Sequence, residues 1–150
     1  MNFDVIYLMD TVSVAKLSQQ EVSSNFVHTY CRVPDEILYE LRDSSYYAIL
    51  DTLRYEVSAD VLRAGREFLK SLAVNNLLLD LYNFEGNGDL ILIAVALHEA
   101  ELNSHMLMRT EWKILTDDKG LRAAAEGEGV VVVTTEDFKR LLRENETPLL

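Results

Sequence analysis

Cysteine is nearly missing from this chain of 150 residues: Cys31 is the only one. A single thiol excludes an internal disulfide and any zinc site built on several cysteines, and it suits a reducing cytosol. Proline, at 2 residues, and glycine, at 6, are scarce as well. With no biased tract beside them, an extended or low-complexity chain is excluded and an ordinary globular one remains. Positive charge is short too, 14 Lys and Arg against 25 Asp and Glu, a formal net charge of −11. That argues against a protein that coats nucleic acid without specificity, because affinity for phosphate backbones comes mainly from Lys and Arg. It leaves room for an enzyme acting on nucleic acid, since carboxylates gathered around divalent cations are counted here as bare charge. No apolar run has the length of a membrane span, and the N-terminal stretch lacks a basic region leading into an apolar one. The expectation is a cytoplasmic protein with no membrane partner.

What is present begins with Phe3 to Thr11, FDVIYLMDT. Val5, Ile6, Leu8 and Met9 leave no polar face, so the run predicts a strand buried on both sides at the centre of a parallel sheet, with Asp10 at its C-terminal end. In open α/β sheets, ligands bind in the crevice outside those ends. Helical spacing follows over Val12 to Gln20. Phe26 to Val33 is rich in β-formers and leads through Pro34 into a helix carrying Glu40. Further helices are predicted from Ser45 to about Leu53 and, capped by Ser58, over Ala59 to Ala73, with a short edge strand at Arg54 to Val57 between them. Asn83 to Gly88 predicts a loop. Asp89 then opens a helix whose Leu90 to Leu97 are apolar throughout, which predicts burial on all sides. Trp112 to Thr116 predicts a strand ending in Asp117 and Asp118. A helix over Lys119 to Glu128 closed by Gly129, a strand at Val130 to Val133 and a final helix capped by Thr134 or Thr135 complete the chain. Strand and helix alternate almost throughout, so the fold class is α/β, a mostly parallel sheet between layers of helices. Residues 1–143 form one domain in this reading, and 144–150 a short tail.

Asp10 and Asp118 follow two strands and so share one edge of such a sheet. Glu40 lies in the helix after another strand, and Asp89 opens a helix. Four acids from four segments can converge on one crevice. Divalent-metal catalysis needs that arrangement, because Mg²⁺ and Mn²⁺ are hard cations that take carboxylate oxygens and keep waters for reaction. Each acid also has a structural reading: Asp10, Asp89 and Asp118 stand where Asp caps helices, and Glu40 suits a solvated helix face.

The segments MDT, VPDEILYEL, GNGDLILIAVAL and ILTDDKGLR, in this order between about Val5 and Leu142, resemble the PIN-domain ribonucleases. The resemblance implies a three-layer α/β/α sandwich with a five-stranded parallel sheet and metal-dependent hydrolysis of single-stranded RNA. It implies metal-binding acids at Asp10, Glu40, Asp89 and Asp118, with Mg²⁺ or Mn²⁺ as cofactor, and Thr11 as the hydroxyl beside the first acid. The threonine-any-aspartate pattern pairs Thr116 with Asp118, although Asp117 stands next to it as a second candidate. Many small members are toxins that dimerise and are held inactive by an antitoxin, which makes a homodimer and a protein partner part of the expectation.

Arg109, Lys113, Lys119 and Arg122 cluster around the fourth acid and are the candidates for RNA contacts. Arg63, Arg66 and Lys70 form a second basic stripe, read as a solvated face. His98 and His105 could share a helix face, but no cysteine or third histidine joins them as a zinc set. Tyr46 and Tyr47 could stack on bases or sit half in a core. A haloacid-dehalogenase-type phosphatase needs a second aspartate two residues after the first, and that position is Val12. The stronger rival is a PIN-like module that keeps its acids yet serves as an RNA- or protein-binding subunit.

Overall fold

The computed structural model describes residues 4–74 and 87–145. Strands β1 (Asp4–Met9), β2 (Cys31–Pro34), β3 (Arg54–Tyr55), β4 (Thr110–Leu115) and β5 (Val132–Val133) form one five-stranded sheet in the order β3-β2-β1-β4-β5. Every pairing is parallel, and helices cover both faces, giving a three-layer α/β/α sandwich. The first strand is central, as its uninterrupted apolar run predicts. Met9 stands level with Leu115 of β4, and Leu8 with Arg32 of β2. The chain leaves β1 towards β2 and β3, then returns across the sheet to β4. The gap between the carboxyl ends of β1 and β4 is therefore the topological switch point, where such sheets bind ligands.

Helices α1 (Thr11–Ala15), α2 (Gln19–Val22) and α3 (Asn25–Tyr30) connect β1 to β2. The helix expected over Val12 to Gln20 is split, because Ser18 and Glu21 form a reciprocal capping box that starts a new helix. The strand expected from Phe26 is a helix as far as Tyr30. Ser24 caps it by accepting from the Val27 N–H, and Phe26 and Tyr30 go into an aromatic cluster with Tyr7 and Phe138, so packing overrides β propensity.

Helices α4 (Asp35–Glu40) and α5 (Tyr47–Asp51) follow β2, and α6 (Ala59–Val74) follows β3. Helix α7 (Asn87–Asn103) lies against β4 and β1 and is covered in turn by α6. Ile91 to Ala96 are buried, which explains a helix with no polar face there. Close approach of the two helices depends on Gly65, where a Cβ would come within 3.2 Å of the Ala94 Cβ. The expected loop at Asn83 to Gly88 is corrected at its end: Asn87 and Gly88 already belong to α7, and 83–86 lie outside the described residues.

After β4 come α8 (Lys119–Gly127) and, beyond β5, α9 (Thr135–Asn145). Gly129 ends the α8 segment at φ +80°, a conformation that favours glycine. Thr134 caps α9 by accepting from the Asp137 N–H. Glu144 and Asn145 continue α9, while the rest of the expected tail, 146–150, lies outside the described residues. Among the described residues no helix is long and apolar enough to cross a membrane.

Candidate active site

A cleft of about 440 Å³ opens at the carboxyl edge of the sheet, lined by Asp10, Thr11, Val12, Lys16, Ile37, Glu40, Asp89, Asp117 and Asp118. The four expected acids and the alternative Asp117 thus meet in one place.

Asp10 is the best-held of them, at 6% exposure. It leaves β1 in extended conformation and caps α1, its Oδ1 accepting the Ser13 N–H at 2.7 Å. Its Oδ2 accepts the hydroxyl of Thr116, which is 1% exposed. The same Thr116 oxygen accepts the Asp118 N–H at 3.0 Å. One buried hydroxyl thereby fixes the carboxylate after β1 and the backbone after β4 against each other. Asp118 caps α8 through Oδ1, which accepts the Leu121 N–H at 2.8 Å. On the other side of the cleft, the Thr11 hydroxyl donates to Glu40, the last residue of α4.

Asp89 stands in the first turn of α7, where the helix N-terminus favours an anion. Gly88 lets it come so near. A Cβ there would lie 2.7 Å from Ile37 Cδ1 and 3.0 Å from Glu40 Oε1, so a side chain would fill the space between α4 and α7.

Asp117 is engaged differently. Its Oδ1 accepts the Thr135 N–H at 2.8 Å and its Oδ2 pairs with Lys16 Nζ at 2.6 Å. Desolvation pushes this carboxyl up, but Lys16 and the hydrogen bonds from Thr135 together outweigh it and hold it below the usual carboxylate range. Asp117 is thus paired with a cation, whereas Asp118 caps α8 through its Oδ1.

The expected basic contacts are placed elsewhere. Arg109 precedes β4 and lines a cavity of about 470 Å³ with Trp112 and Val131, at the opposite edge of the sheet. Lys113 lies within β4 beside Glu111, and Arg122 pairs with Glu126 on α8. Neither these nor Lys119 lines the cleft; its cation is Lys16. In the sequence Lys16 reads only as part of a crossover helix, and its spacing from Asp10 is its one signal.

Tyr46 and Tyr47 are half-buried, the first donating to the Leu17 carbonyl and the second accepting from Arg54. His98 and His105 share a groove with Asp60 and Glu101, and Asp60 is paired with Arg63. Among the described residues no three His, Cys, Asp or Glu form a group that could hold a metal ion, in this groove or in the cleft. The donor set of the cleft nevertheless suits Mg²⁺ or Mn²⁺ in kind. It offers carboxylate oxygens with no imidazole or thiolate, and Mg²⁺ is commonly held by one or two carboxylates, its remaining positions filled by water and substrate phosphate.

Fold and cleft together define an α/β/α protein with an acidic site at the switch point of a parallel sheet. No protein-family model matches the chain, and no curated protein matches it.

Proposed function

We propose that this protein is a PIN-like, divalent-metal-dependent ribonuclease that hydrolyses phosphodiester bonds of single-stranded RNA. The observation that carries the reading is the meeting of Asp10, Glu40, Asp89 and Asp118, from four separate segments, in one cleft at the carboxyl edge of the sheet. Helix capping explains Asp10 and Asp118 one at a time but does not require Glu40 and Asp89 to face them. The resemblance noted in the sequence supports the same set.

Asp10, Asp89 and Asp118 would hold the cation directly or through water. Glu40, aimed by the Thr11 hydroxyl, would orient a water for in-line attack or complete the shell. Bound Mg²⁺ or Mn²⁺ supplies water activation and neutralises charge developing on the phosphoryl group. Thr116 keeps the Asp10 carboxylate in one orientation. The toxin role, the antitoxin partner and the homodimer belong to this proposal through the resemblance.

The test is cleavage of a panel of single-stranded RNAs with Mn²⁺. Cleavage that EDTA stops and added Mn²⁺ restores is the expected result. A second reading, a PIN-like scaffold that docks RNA or protein without cutting, draws on the formal net charge of −11 and on a cleft lined by five acids and one cation. Metal binding with every RNA left intact would decide for it.

A further inference from the structure

The cleft presents an electrostatic problem to any nucleic-acid substrate: Asp10, Glu40, Asp89, Asp117 and Asp118 line it, and Lys16 is the cation among them. We propose that Lys16 is the phosphate-binding residue of this site and contacts the substrate backbone next to the scissile bond. This rests on the nuclease reading above.

Placement is the first argument. Asp10 caps the N-terminus of α1 and Lys16 its C-terminus, so one short helix sets the distance between the central acid and the ammonium. The second is that the side chain is held yet reachable. Lys16 Nζ lies 2.6 Å from Asp117 Oδ2, and its side chain is 49% exposed. Asp117 is itself fixed by the Thr135 N–H, and the Thr135 hydroxyl donates to Ser13 of α1 at 3.2 Å. The ammonium is thus linked through Asp117 to the first residue of α9, which also holds Ser13 of α1. An ammonium has three donors, and the bond to Asp117 uses one. The others can meet phosphate oxygens, for which Lys acts as a point charge. The third argument is that Arg109, Lys113, Lys119 and Arg122 do not line the cleft. The simpler account is an exposed ion pair joining the end of α1 to the segment between β4 and α8, and such pairs contribute little to stability.

Lys16→Gln, Lys16→Arg and Asp117→Asn separate the two accounts. Each would be assayed for cleavage of a 12-nucleotide single-stranded RNA with protein in excess, and for stabilisation by Mn²⁺ in thermal unfolding. A phosphate contact predicts that Lys16→Gln raises the half-saturating protein concentration about tenfold and flattens its logarithmic salt dependence by about one unit. Lys16→Arg then stays near wild type, Asp117→Asn loses less affinity than Lys16→Gln because the ammonium remains in the cleft, and Mn²⁺ stabilises all of them. Half-saturation by Lys16→Gln within twofold of wild type overturns the assignment and leaves the nuclease reading standing. Equal losses in Lys16→Gln and Asp117→Asn also overturn it, since the tie alone would then be at work. Wild type that neither cleaves nor responds to Mn²⁺ removes the nuclease reading, and this proposal with it.

Discussion

Asp10→Asn is expected to lower the rate of RNA cleavage by about a thousandfold while leaving the protein folded. The rate loss follows from the role of the carboxylate: a cation at a reacting phosphoryl group is worth several kcal/mol, and about 1.4 kcal/mol is a factor of ten. Persistence of the fold follows from what else Asp10 does. Its Oδ1 caps α1 on the Ser13 N–H, and Asn caps about as well as Asp. Its Oδ2 accepts from Thr116, and the Asn amide oxygen can take only one of these two places. That loss costs about 1–3 kcal/mol, and relief of repulsion in a cleft shared with other carboxylates offsets it, so the metal-free variant should unfold near the temperature of metal-free wild type. Cleavage rates and unfolding curves in EDTA check both halves; a variant that cuts at the wild-type rate removes Asp10 from the mechanism.

Thr116→Val should have the next largest effect, through position alone. Valine has nearly the shape of threonine, yet it strands the buried Asp10 Oδ2 and the Asp118 N–H that share the hydroxyl. Leaving a buried polar group unmet costs about 1–3 kcal/mol. In a chain of this size that lowers the unfolding temperature by roughly 2–4 °C for each kcal/mol. Because the hydroxyl orients an acid of the site, activity should fall about 10- to 100-fold, the usual scale for groups that support metal ligands. Thr116→Ser keeps the hydroxyl and should recover most of both. Loss of stability with wild-type activity would show that Thr116 only packs.

How legible this was varies from residue to residue. The position of β1 could be read directly, because a short apolar run with no polar face, closed by Asp10 and Thr11, suits a strand covered on both sides, and that places Asp10 at the switch point. Glu40 could be placed only through the order of segments, since on its own it looks like a solvated helix residue. The helix at Asn25–Tyr30 was hidden, because its aromatic and β-branched residues favour a strand and it is their packing on Tyr7 and Phe138 that decides. Gly88 was hidden for another reason. A glycine beside asparagines reads as a loop, whereas here it is helical, and its missing side chain lets α7 approach Ile37 and Glu40. Lys16 carries almost no local signal, as its importance depends on Asp117, a residue 101 positions away in the chain.

The central claim is that the acids form a cation site, and thermal unfolding of wild type and Asp10→Asn, each with and without Mn²⁺, tests it without requiring the right RNA. A ligand that binds only the folded state raises apparent stability, by about 2.7 kcal/mol at a hundred times its dissociation constant. For this chain that amounts to an upward shift of roughly 5–10 °C. The account predicts such a shift for wild type and none for Asp10→Asn. Equal shifts in the two proteins, or no shift in either, would contradict it.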